Sequence, residues 1–207
     1  MNEAIKTEVY KGYTINIYHD DSSDNPIDWD PLGKYICFHQ RYNLGHQHDY
    51  DSPDEVRTYA KRTGALLYPL YLYDHSGITI SLSPYSCPWD SGQVGYVLVE
   101  KEDAVKEFGK KKLTDIVRKK VFKCIEGEVN TYDLYLMGEV YGYMIEDEAG
   151  SSIDSCWGYY GEVDSCIGEA QSHLDLMVKR KIENHCNKLK QWIRNKVDLI
   201  FRHPCEC

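Results

Sequence analysis

At 207 residues, with 33 acidic side chains against 24 Lys and Arg, the chain carries a formal net charge of −9. That length buries one sizeable core, and 42% hydrophobic with 28% charged residues is the balance of a folded domain, not of a disordered or fibrous chain. The acidity argues against direct nucleic-acid binding, and no apolar run approaches the roughly 18 residues that a membrane span needs.

The opening residues MNEAIKTEVYKGY hold no apolar signal core, so a cytoplasmic location is expected, and with it reduced cysteines instead of a disulfide framework. Eighteen Tyr against four Phe predict many half-buried rings lining a sheet.

Residues 9–19 alternate as one opening strand. The polar stretch that follows holds Asp20, Asp21, Asp24, Asp28 and Asp30. Five carboxylates this close repel unless solvated or bridged by a hard cation, but the spacing lacks the glycine and closing glutamate of an EF-hand loop. A solvated loop is expected, with a Ca²⁺ or Mg²⁺ site as the alternative. Residues 34–42 read as a strand placing Cys37 and His39 on one face. That is either a buried thiol beside a hydrogen-bonded imidazole or a ligand or catalytic pair. His46 and His48 lie in the loop after it.

Ser52, Pro53 and Glu55 form a helix start, and Gly64 a stop. Residues 66–73 are apolar on both faces, as in a strand covered on two sides. A turn at 74–77, an alternating strand at 78–82, a polar loop at 84–92 and a strand at 94–99 complete the sheet-rich part, 1–100. Helices are expected over 101–108 and from 112 toward 135, the latter with a stripe of Leu113, Ile116, Val117, Val121, Cys124 and Ile125. Strands at 139–147 and 153–160 form a hairpin.

The segment 163–203 carries apolar residues at three- and four-residue steps. An unbroken helix over 164–201 would span roughly 55 Å, so a break near 184–187 is expected; otherwise its end projects toward a partner helix, for example in a homodimer. The terminal His203, Cys205 and Cys207 read as a frayed tail. Together these elements predict a single α+β domain over 1–207, with a mainly antiparallel sheet, amphipathic helices packed on one side and a long C-terminal helical segment.

Charge is unevenly placed. Residues 124–175 contain no Lys or Arg and twelve acids: Glu126, Glu128, Asp133, Glu139, Glu146, Asp147, Glu148, Asp154, Glu162, Asp164, Glu169 and Asp175. The flanking stretches 101–123 and 176–207 are each net +5. Such a block draws basic partners, unless the basic helices fold back and neutralise it. No Walker loop, nucleophile elbow or zinc-protease motif occurs. The enzymatic alternative rests on Cys87 as nucleophile, His75 as base and Asp74 as its orienting group. No cofactor is expected.

The segments WDPLGKYICFHQRYNLG (29–45), YDHSGI (73–78), SCPWDSGQVG (86–95) and DSCWGYYG (154–161) resemble a family of uncharacterised bacteriophage and mobile-element proteins. The resemblance implies a small accessory protein acting in the cytoplasm of a bacterial host, where such proteins often counter host defence. With the charge pattern, it leads to a non-enzymatic inhibitor. The expected partner is a basic, nucleic-acid-binding defence protein of the CRISPR kind, occupied by an acidic surface in the manner of a DNA mimic.

Overall fold

The computed structural model describes residues 3–196 and arranges them as two four-stranded antiparallel sheets with four α-helices. The chain opens with β1 (Lys6–Tyr10) and β2 (Tyr13–His19), paired across Lys11 and Gly12. Both turn residues have positive φ, 52° and 80°, which matches the twist of a two-residue hairpin. The single strand expected over 9–19 is therefore half of a hairpin. Alternation runs straight through the turn, and only Gly12 marks the reversal.

A 3₁₀ turn at Pro26–Asp28 leads into β3 (Lys34–Cys37). The strand stops short of residue 42 because the His39 imidazole accepts from the backbone N–H groups of Arg41 and Tyr42, at 3.2 and 3.1 Å, and turns the chain. Next come α1 (Pro53–Thr63), β4 (Leu66–Asp74), β5 (Ile78–Ser81) and β6 (Ser91–Val99). The Ser52 hydroxyl caps α1, and Gly64 ends it in the left-handed region. The helices α2 (Lys101–Glu107) and α3 (Asp115–Met137) precede the hairpin β7 (Val140–Glu146) and β8 (Ser152–Tyr160), and α4 (Val163–Lys196) follows.

The strands divide between two sheets, β3-β6-β4-β5 and β1-β2-β7-β8. The second sheet joins the first and last parts of the chain, so everything between β2 and β7 builds the first. In the first sheet, Leu70, Val97 and Val99 pack with Val117, Val121 and Ile125 of α3. Its other face, with Ile36, Tyr96 and Leu98, packs on Val56 and Ala60 of α1. Helices thus cover both faces, as the apolar residues at odd and even positions of β6 require. The second sheet has its helix on one side: Ile15, Ile17, Tyr143 and Ile145 bury against Cys166, Ile167, Ala170 and Leu174 of α4.

The helix α4 is unbroken through 34 residues, about 51 Å, which corrects the break expected near 184–187. Asn in a helix interior costs only about 0.7 kcal/mol relative to Ala, and Asn184 and Asn187 have neither proline nor glycine to help them. Only its first half packs on the sheet. From Lys179 to Lys196 every residue is exposed, including Ile182, Leu189, Trp192 and Ile193. The expectations for 197–203, Cys205 and Cys207 lie outside the described residues.

Candidate functional site

The Cys87 and His75 side chains do meet, but over a different carboxylate. The Cys87 Sγ donates to Asp90 Oδ2 at 3.6 Å, and His75 Nδ1 lies 3.4 Å from the same oxygen. Asp74 turns away, accepting from Arg41 Nη1 and Tyr42 Oη, each at 3.0 Å. Nucleophilic catalysis needs the imidazole between thiol and carboxylate, so that it can take the thiol proton. Here the carboxylate stands in the middle. Asp90 was the residue sequence reasoning missed, and it sits in the quoted SCPWDSGQVG segment without any spacing signal of its own.

The second thiol–imidazole pair is structural. Burial pushes the Cys37 thiol up to about 12, which keeps it protonated and poor as a nucleophile or ligand. His39 caps the turn described above, and His46 Nδ1 accepts from the Tyr35 N–H at 3.0 Å. His48 Nε2 lies 3.0 Å from the Cys37 carbonyl. Each of these imidazoles holds a loop in place. Among the described residues, no three His, Cys, Asp or Glu side chains converge as a metal site would require.

The acidic block separates by what each carboxylate does. Glu128 accepts from the N–H groups of Leu32 and Gly33 at 2.8 and 3.1 Å, pinning the 26–33 loop to α3. Asp133 accepts from Thr79 Oγ1 and the Ile80 N–H at 2.6 and 2.7 Å. Asp147 closes the β7–β8 turn through the N–H groups of Ala149 and Ser151. Glu146 accepts from Asn16, Asp164 pairs with Lys6, Asp175 pairs with Lys11, and Asp154 lies 3.5 Å from His173 Nε2. Glu126, Glu148 and Glu162 are exposed and Glu139 half-buried.

The aspartate loop completes one part of this surface. The Asp20 N–H donates to the Val140 carbonyl at 2.8 Å, and Asp20 Oδ2 accepts from the Gly158 N–H at 3.0 Å. Tyr160 Oη donates to the Asp24 carbonyl at 2.6 Å. These bonds seat the 20–24 loop against the end of β8, next to Glu139 and Glu162, and form a concavity lined by Asp20, Asp21, Asp24, Trp29, Trp157 and Tyr160. Asp28 and Asp30 fall outside it, so the five aspartates do not act together.

The two tryptophans are 51% and 46% exposed, far more than rings serving only a core. Trp29 meets the Tyr160 ring edge-on at 5.1 Å. Trp157 lies over Gly142, where a Cβ would collide with its indole. No Lys or Arg lines the concavity. Comparison of the chain with protein-family models, curated proteins and solved structures finds no match.

Proposed function

We propose that the chain is a non-enzymatic binding protein that engages a basic protein partner through the acidic, tryptophan-bearing edge of the second sheet. The observation that carries this reading is the pairing of two half-exposed indoles with a lining that holds three aspartates and no Lys or Arg. Tryptophan is the residue type most enriched where interface energy concentrates, and the acidic surround selects a basic counterpart and steers its approach. The resemblance to bacteriophage and mobile-element proteins supports a nucleic-acid-binding defence component of a bacterial host as that partner. The carboxylates would then stand where the phosphates of DNA otherwise bind.

The test is a pull-down from bacterial lysate with the wild-type chain and with a variant carrying Asp24→Lys, Glu139→Lys and Glu162→Lys, three carboxylates with no structural bond of the kind Glu128 and Asp133 make. The expected result is a partner captured at low salt, weakened as salt screens the contact over roughly 8–10 Å, and lost with the variant. Full capture by the folded charge-reversed variant, with loss in Cys87→Ala, would refute the reading in favour of the thiol.

A further inference from the structure

The second half of α4, residues 179–196, carries seven basic side chains against a single acid, Glu183. Among the described residues, none of the seven forms an ion pair. The basic arm therefore does not fold back to neutralise the acidic block. It also carries four large apolar side chains, Ile182, Leu189, Trp192 and Ile193, each between 46% and 60% exposed.

Helix geometry sorts these residues into three zones. At about 100° per residue, the four apolar side chains share an arc about 100° wide, bounded by Trp192 on one side and Ile193 on the other. Lys181 and Lys188 border the arc beyond Trp192, and Lys179 and Lys190 border it beyond Ile193. The amides of Asn184, Asn187, Gln191 and Asn195 lie on the opposite side, within about 40° of the line facing away from Ile182. Lys196 enters the arc only in the last described turn.

Charge and breadth together decide what covers the arc. Lysines along both borders select an anionic counterpart. A nucleic-acid duplex offers phosphates but little apolar surface for Ile182, Leu189 and Ile193. A coiled-coil partner needs a seam narrower than this arc, and a second copy sets lysine against lysine. An anionic bilayer matches all three zones. The apolar arc enters the boundary with the acyl chains, and the lysine stems lie along it while their ammonium groups reach the headgroups. The Trp192 indole sits at headgroup level, and the amide side faces water.

We propose that the exposed half of α4 is an interfacial helix that lies flat on an anionic lipid surface with its apolar arc inward. It acts independently of the acidic sheet edge. The acidic body is repelled by the same surface, but the arm extends about 27 Å and the screening length is roughly 8 Å at physiological salt. The outer turns therefore reach the lipid beyond the range of that repulsion.

Co-sedimentation of the full chain with vesicles tests this, using phosphatidylcholine alone and an equal mixture with phosphatidylserine. Binding to the mixed vesicles only is expected, weakening as salt rises. Replacing Lys181 and Lys188 together by Gln should weaken it by about tenfold or more. The variant Ile182→Ser, Leu189→Ser, Ile193→Ser alters only exposed side chains and keeps every charge, and it should lose binding. The mixed vesicles should shift tryptophan emission to the blue, and Trp192→Phe should abolish the shift while Trp29, Trp89 and Trp157 remain. Failure to sediment, equal binding by the serine variant, or a shift that persists in Trp192→Phe would each overturn the proposal. Tighter binding of a DNA duplex or of polyglutamate than of the mixed vesicles would overturn it too, as would a stable low-salt dimer that the serine variant lacks, since the arm would then have a different occupant.

Discussion

The Tyr35 hydroxyl yields a prediction whose sign runs against ordinary mutational experience. Most core substitutions destabilise, yet Tyr35→Phe should stabilise the protein, because its buried hydroxyl has no partner among the described residues. A buried hydroxyl without a partner costs about 1–3 kcal/mol relative to its hydrated state in the unfolded chain, and removing it recovers much of that. The ring's other contacts survive: an edge-on approach to Tyr132 at 5.4 Å and a stacked one to His46 at 5.9 Å.

The net gain is about 1 kcal/mol, or about 2–4 °C in Tm for a chain of this size. Tyr132→Phe is the counter-case. Its hydroxyl accepts from the Gly45 N–H at 3.1 Å, so its loss orphans a donor and should cost about 1–3 kcal/mol. Urea unfolding of the three proteins, with m unchanged, measures both. A Tyr35→Phe protein less stable than wild type by 1 kcal/mol or more would show that the hydroxyl is paired in solution and would refute the reasoning.

Three further outcomes follow from other parts of the fold. Gly142→Ala should displace the Trp157 indole without touching any charge, weakening partner capture while circular dichroism stays unchanged. Stability should be full below pH 9.0 and fall as pH rises toward about 12: the Cys37 thiol is raised to about 12 from 9.0 and the Tyr35, Tyr132 and Tyr68 phenols are raised by burial. The folded state then holds protons that the unfolded state releases, a loss that urea midpoints at about pH 8 and 11 will register. Self-association of the chain should strengthen as salt rises, which sedimentation at two ionic strengths will read, because screening removes repulsion between the basic α4 arms.

Local signals carried most of the element list. Ser52 and Gly64 bracket α1 as expected, whereas the helix expected from 112 toward 135 starts after Thr114 and ends at Gly138. The two-sided apolar character of 66–73 fits the helices found on both faces of the first sheet, although the expected arrangement placed the helices on one side. Sheet membership was not legible. Pairing β2 with β7 joins residues such as Ile15 and Ile145, and alternation records which face a side chain takes but not which strand lies beside it. The acidic block illustrates the same limit. Glu128 and Asp133 look like Glu126 or Glu162 in sequence, yet they accept bonds from backbone that arrives from residues 32–33 and 80. The aspartate loop and the acidic hairpin read as separate features because the bond from Gly158 to Asp20 crosses 138 positions.

The exposed half of α4 adds a constraint on assembly. Residues 179–196 carry seven basic side chains and one acid, Glu183, on a helix whose apolar stripe is Ile182, Leu189 and Ile193. At about 100° per residue, Lys179 and Lys190 fall on one flank of that stripe, and Lys181 and Lys188 on the other. Two such arms laid side by side bring lysine against lysine whether they run parallel or antiparallel, since both flanks carry lysines and either flank therefore meets a lysine. The stripe is exposed, and both its flanks are basic. A homodimer through α4 therefore works against its own charge. The arm extends for about 27 Å, several times the screening length of roughly 8 Å at physiological salt, so its far end is electrostatically independent of the acidic sheet edge. One chain then carries two surfaces of opposite sign.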